Sequence, residues 1–203
     1  RRLLSFLHLK QNYIEILNIF VIKTSRHTAC HLITDVTELF MPLALFALTI
    51  SAFAIGTTEF VIVGLVPTIA QQLAISLPSA GMLVSIYALG VAIGAPVLTA
   101  LTGRLPRKQL LVALMVLFTA GNLLAWQAPG YMTLIVARLL TGLAHGIFFS
   151  IGSTIATSLV PKEKAASAIA IMFGGLTVAL VTGVPLGTFI GQHFGWRETF
   201  LAV

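Results

Sequence analysis

Five stretches of this chain, near residues 43 to 67, 80 to 101, 109 to 127, 132 to 159 and 167 to 191, each run for about 20 residues or more with at most one charged side chain apiece. A helix rises about 1.5 Å per residue, so runs of that length cross a hydrocarbon core about 30 Å thick. Inside lipid the backbone must satisfy its own hydrogen bonds, and these runs are too long and too continuously apolar to be the alternating strands of a barrel. A sixth apolar run opens at about Glu198, and the chain stops inside it at Val203. The expectation is an all-α, polytopic transmembrane helix bundle.

Composition agrees. Only 9% of the 203 residues are charged, against about 25% in a soluble domain, and the mean hydropathy is +1.01. Too few charges remain to cover a water-facing surface. The single cysteine, Cys30, excludes a disulfide framework and any cysteine-built metal site within one chain. The sequence holds no phosphate-cradling glycine loop, metal-ligand cluster or nucleic-acid module. No cofactor, metal or nucleic-acid partner is therefore expected, and an ion gradient rather than ATP is the expected energy source.

The connections between runs are short and carry breakers: Pro78 and Ser79, Pro106, Ala128-Pro129-Gly130, Pro161, and the segment from Gln192 to Trp196. Lys and Arg alternate with them. Arg1, Arg2, Lys10, Lys23 and Arg26 precede the first span, Arg104, Arg107 and Lys108 follow the second, and Lys162 and Lys164 follow the fourth; the opposite connections hold only Arg197. Short cytoplasmic loops accumulate cations, so the N-terminus is expected in the cytoplasm.

Residues 1 to 40 form a basic leader holding His8, His27 and His31, Cys30 and three of the six acids. Two readings stand. The leader is non-native upstream sequence, since the chain opens on Arg1 and its first methionine is Met41, or it is an amphipathic interfacial helix with Leu3, Leu4, Leu7, Ile14, Leu17 and Phe20 on one side. Residues 41 to 203 are then the bundle, with five complete spans and the start of a sixth.

Charges within a bilayer are costly and mark functional sites by default. Glu59 lies eight residues before Pro67 and Arg138 seven after Tyr131, which places both about 10 to 12 Å inside the non-cytoplasmic boundary. If the first and fourth helices are neighbours, Arg138 neutralises Glu59. Desolvation and a nearby cation act in opposite directions on a carboxylate, and their balance makes a proton switch. The bland alternative is a fixed ion pair that holds two helices in register. Arg138, Thr141 and His145 recur at helical spacing and are expected on one face, lining water or protein. His145 is either a proton relay or a hydrogen-bonding link between helices. Thr57, Thr58, Asn122 and Thr182 are further hydrogen-bonding candidates.

Small residues recur at four-residue spacing: Gly90 and Gly94, Gly142 and Gly146, and Gly183, Gly187 and Gly191. They permit close helix contact. Pro185 removes a backbone donor within the last set and loosens that helix. Packing alone and conformational gating through Gly183, Pro185 and Gly187 are both open. The Arg104-Leu105-Pro106-Arg107-Lys108 turn is a topological anchor, and it is also a candidate latch against a helix end or an acid.

Five segments in order carry a family likeness: Gly56-Thr57-Thr58-Glu59-Phe60 through Pro67, Thr102 to Lys108, Ala137-Arg138-Leu139-Leu140-Thr141-Gly142, Gly183-Val184-Pro185-Leu186-Gly187, and Gly195-Trp196-Arg197. From about Met41 to Val203 the chain resembles the N-terminal half of a major facilitator superfamily transporter, in the drug/proton antiporter and sugar-efflux (arabinose-efflux-like) branch. It departs from the family pattern at Gly103, where an acid is usual, at Pro106, where a glycine is usual, and at Val184. The resemblance implies the first six-helix half of a twelve-helix fold, truncated in helix six, with substrate held between two bundles that rock to alternate access.

The function so implied is proton-coupled efflux of small organic compounds, drugs or sugars, across an inner membrane, by a fragment that does not transport alone. Its partners are the small-molecule substrate, protons, the lipid bilayer and a missing C-terminal bundle. Glu59, Arg138, His145 and Thr141 are the expected proton-coupling or substrate residues. The alternative is an oligomeric structural or channel-like membrane subunit. An enzyme is not expected, because Glu59 and His145, counted along their helices, lie at different depths.

Overall fold

A computed structural model describes residues 43–94, 96 and 106–203. The leader, Arg104 and the rest of the Thr102 to Leu105 segment lie outside these residues. Every described element is helical. Among the described residues four helices are long and apolar enough to cross a membrane: α1 (Leu43–Gln72), α3 (Arg107–Trp126), α4 (Tyr131–Ser158) and α5 (Lys162–His193). The shorter apolar helix α2 (Leu77–Ile93) follows α1, and α6 (Trp196–Ala202) closes the described chain.

The observed ends differ from the expected ones for local reasons. α1 continues through Pro67 to Gln72, where Ile75 N–H reaches back to the Ala70 carbonyl at 3.0 Å and Ala74 adopts a left-handed φ of 50°. That is a helix-ending motif usually built on glycine. Pro78 lies within α2 rather than in a loop. Ser76 caps that helix, accepting from Ser79 N–H at 3.2 Å, and a proline in the first turn removes no needed donor. α6 begins at Trp196, two residues before the expected Glu198, because Gly195 takes φ 107° and turns the chain there. The buried Trp196 ring and Arg197, whose Nε and Nη2 donate to the Ala128 carbonyl at 3.2 and 2.8 Å, fasten this start to the α3–α4 turn.

α5 is one long helix with a defect. Between its α-helical parts Ala165–Val178 and Val184–His193, residues Ala179–Gly183 form a π turn, in which Val184 N–H bonds Ala179 rather than a residue four back. Pro185 follows at once. Its missing N–H and its ring make the normal turn unfavourable, so the backbone widens.

α4 runs through the middle of the bundle and packs extensively on α2 and α3. The α2–α4 crossing is closest at Gly90 and Gly142, where a Cβ on Gly142 would overlap the Tyr87 carbonyl oxygen. Two main apolar clusters fill the interior. One joins Ile62, Leu65 and Ile69 of α1 to Leu134 and Ala137 of α4 and to Trp196; the other joins Leu48, Ala52 and Ile55 of α1 to Ala144 and Phe148 of α4 and to Met172. The end of α1 thus meets the beginning of α4, so the two helices are antiparallel. Large apolar side chains such as Phe46, Val63, Val116, Val181 and Leu186 are exposed on the outer faces, as a lipid-facing surface requires.

Candidate functional site

Between the two apolar clusters lies a chain of polar groups contributed by four helices. It begins at Asn122 of α3, whose Oδ1 accepts from the Thr58 hydroxyl of α1 at 3.2 Å. The Thr58 carbonyl accepts from Arg138 Nη1 at 2.9 Å, and Arg138 Nε donates to the Leu83 carbonyl of α2 at 3.5 Å. The guanidinium carbon sits 4.1 Å from the centre of the Tyr87 ring. Tyr87 in turn places its hydroxyl 2.9 Å from Nδ1 of His145, and the same nitrogen lies 3.7 Å from Glu59 Oε2.

Burial grades this chain. Arg138, Tyr87 and Thr58 are buried, whereas the Glu59 side chain is 27% exposed. Glu59 is therefore the most accessible member of this polar chain. Arg138 Nη2 is buried with no hydrogen-bond partner among the described residues. A buried guanidinium N–H with no acceptor is an unused donor for a carboxylate or another anion.

The expected direct pair between Glu59 and Arg138 is not the contact formed. Nδ1 of His145 lies 3.7 Å from Glu59 Oε2, an ion pair only when that ring is protonated, and Arg138 bonds two backbone carbonyls instead. Side-chain direction explains the difference. Cα–Cβ bonds tilt toward the N-terminus of their own helix. In antiparallel α1 and α4, Glu59 leans one way along the membrane normal, while Arg138 and His145 lean the other. Glu59 and His145, placed at different depths by residue counting, are thereby brought together, and Arg138 is carried past the carboxylate to the Thr58 carbonyl.

Thr141 lines protein, one of the two expected surroundings of that face, and is buried against α3. Its hydroxyl donates to its own helix, to Ala137 and Arg138 carbonyls at 2.9 and 3.1 Å, and its methyl packs against Gly121 of α3. Three residues along a helix is a rotation of about 60° from Arg138, enough to turn Thr141 toward α3. Thr57 and Thr182 likewise bond carbonyls of their own helices. Arg107 and Lys108 are exposed in the first turn of α3 and have no ion-pair partner among the described residues, so the latch expected of that turn is not engaged there. Gly183 and Gly187 lie against Thr57 and Val61 of α1, which puts the π turn and Pro185 directly on the helix that carries Glu59.

Tyr87 and Leu83 were not foreseen as site residues. The signal for Tyr87 is its spacing: Tyr87, Gly90 and Gly94 share one helix face, so the stripe that permits contact with α4 also carries a polar-tipped ring toward Arg138 and His145. Leu83 contributes only a carbonyl, which side-chain identity does not reveal.

Comparison with known proteins fits this architecture. The family model of the Major Facilitator Superfamily matches residues 48–203. A Bacillus subtilis (strain 168) protein described as an uncharacterized MFS-type transporter, YtbD, is 58% identical over 160 residues, 79% of this chain and 40% of that protein. The inner membrane transport protein YdhP of Escherichia coli (strain K12) is 54% identical over 158 residues, 78% of this chain and 41% of that protein. A chloramphenicol resistance protein of Streptomyces lividans is 39% identical over 163 residues, 80% of this chain and 42% of that protein. The chain spans about two fifths of the length of each of these relatives.

Proposed function

Because the chain belongs to the Major Facilitator Superfamily, we propose that it forms the first bundle of a proton-coupled efflux carrier for small organic compounds, drugs or sugars, working by alternating access with a second bundle. The similar proteins are named as transporters rather than enzymes, and membership of a transporter family displaces the structural-subunit reading. The name of the Streptomyces relative supports a drug-like compound as one candidate substrate.

The observation that carries the proposal is the contact of Glu59 with His145 in an apolar bundle, beside a buried arginine that has a donor to spare. Antiport requires proton and substrate to be competing occupants of one thermodynamic cycle, each lowering the affinity for the other. Glu59 suits that role. It is the most exposed member of the cluster, so a proton and a polar group of the substrate compete for the same carboxylate. Arg138 and His145 hold the site in shape and supply its charge, and Thr141 supports it by packing α4 on α3. The π turn before Pro185, with Gly183 and Gly187 against α1, supplies the flexible element that transmits occupancy to the rocking of the bundle.

Arg107, Lys108, Lys162 and Lys164, with Arg104 of the same loop, set the orientation: their connections face the cytoplasm of a cell inner membrane, and the N-terminus lies on that side. The Escherichia coli relative's name, an inner membrane transport protein, supports this location. The Arg104 to Lys108 turn takes part in gating when an acid of the second bundle comes within reach.

Proteoliposomes of the carrier containing this chain, loaded with a pH-sensitive dye, test the proposal. Addition of a transported sugar, cationic drug or chloramphenicol moves protons in the unaltered carrier, and Glu59→Gln lowers that flux at least about a hundredfold, the low end of what a positioned proton-transfer group contributes. Undiminished proton movement in Glu59→Gln overturns the coupling role.

A further inference from the structure

We propose that Tyr87 is a positioning residue that fixes the proton of the neutral His145 ring on Nε2, and so makes the Glu59–His145 hydrogen bond conditional on a proton arriving at His145. The inference rests on the cluster described under the proposed function, and it concerns how that cluster is set rather than what is carried.

One atom is contested. Nδ1 of His145 has either a lone pair or a hydrogen, and two groups converge on it: the Tyr87 hydroxyl at 2.9 Å and Glu59 Oε2 at 3.7 Å. Only the first is at hydrogen-bonding distance. The 2.9 Å contact fits Tyr87 O–H donating to Nδ1 or Nδ1–H donating to the phenol oxygen. Because a phenol O–H is the stronger donor and a neutral imidazole nitrogen the stronger acceptor, the first is favoured, and the imidazole keeps its own hydrogen on Nε2. Glu59 then finds no hydrogen on the nitrogen it faces, which accounts for its longer separation.

The phenol is not free to move aside. Its ring lies under the Arg138 guanidinium, 4.1 Å from ring centre to Cζ, and meets the imidazole edge-on at 5.7 Å between centres. The guanidinium is itself pinned by the Thr58 and Leu83 carbonyls. Three helices thus fix where the hydroxyl oxygen sits. The titratable and charged groups about the imidazole are Glu59 from α1, Tyr87 from α2 and Arg138 from α4 itself, and the remaining side that is described holds Phe149, backed by Phe173 of α5.

A proton on Glu59 passes to Nδ1 only when the Tyr87 O–H turns away and frees that nitrogen's lone pair: the carboxyl O–H bond breaks, its electron pair stays on the carboxylate, and the N–H bond forms from the freed lone pair. The imidazolium then donates from Nδ1 to the new carboxylate, while the phenol oxygen stays in place with its hydrogen turned away from the ring. No other bond changes. Tyr87 so separates two states of one contact, a loose one with a neutral ring and a tight one after proton transfer.

Histidine 15N NMR of the carrier in lipid nanodiscs reads this directly, with His145→Gln to assign the signal. In the unaltered protein at a pH where His145 is neutral, the Nε2–H tautomer predominates. Tyr87→Phe keeps the ring over Arg138 and removes only the hydroxyl, and it shifts the tautomer ratio toward Nδ1–H by about tenfold, the change that loss of a hydrogen bond worth about 1.4 kcal/mol produces. Glu59→Gln leaves the Nε2–H preference in place. A neutral Nδ1–H tautomer in the unaltered protein, or the same ratio in Tyr87→Phe, overturns the proposal; the first reading decides even if Tyr87→Phe does not accumulate. Proton flux in Glu59→Gln is a separate readout, so the tautomer assignment and the coupling role of Glu59 fail independently.

Discussion

Arg138 shows how much one side chain is asked to do in this bundle. It bonds carbonyls of α1 and α2, lies on the Tyr87 ring, and is buried throughout. A lysine keeps the charge but not the planar fork or the stacking surface. Arg138→Lys is therefore expected to lower stability by about 1 to 3 kcal/mol, the range for losing hydrogen bonds to a charged group, read as a lower thermal midpoint in detergent. That Glu59, Arg138 and His145 stand out as candidate site residues was legible in the sequence, because an ionisable group in an apolar run is conspicuous. Their pairing was not. Counting residues locates Cα atoms, whereas the contact is decided by the tilt of each side chain along its own helix, and antiparallel neighbours tilt in opposite directions.

Helix existence and order could be read from apolar run length, and the expected starts of α3 and α4 lie within two residues of the observed ones, since Pro106 and the Ala128-Pro129-Gly130 turn leave little freedom. The end of α1 was less legible. Pro67 reads as a terminator, yet the helix passes through it and ends at a left-handed alanine. Ala74→Gly is expected to raise stability by about 0.5 to 1 kcal/mol, by relieving the left-handed cost that alanine bears at φ 50°, with the thermal midpoint as the check. The glycine stripes could be read as contact faces, but not which glycine is indispensable. Gly142→Ala pushes a methyl onto the Tyr87 carbonyl and should cost about 1 to 3 kcal/mol, while Gly81→Ala, whose methyl meets nothing within 4 Å, should be neutral or stabilising. Equal effects of the two substitutions on thermal stability would show that the α2–α4 crossing is looser than described.

On the scale of the whole bundle, the arrangement is a polar chain sandwiched between two apolar clusters, with one acidic end left accessible. The apolar clusters join residues of α1 to α4 on both sides of that chain, and the π turn of α5 lies against α1, so on the proposed reading a change of partner at Glu59 is expressed as movement of α1 against α5. The two-cluster layout was not visible in the chain itself, because helix neighbours within an apolar bundle are chosen by packing shape, and every run is nearly uniform in polarity. The central claim is that Glu59 exchanges a proton for substrate. Counting protons tests it most directly: a transported compound is added to the purified carrier in weakly buffered detergent solution and the pH change is recorded. The account predicts release of about one proton per carrier and none from Glu59→Gln, as reciprocal coupling at a single group requires. Equal release from the two proteins would contradict it.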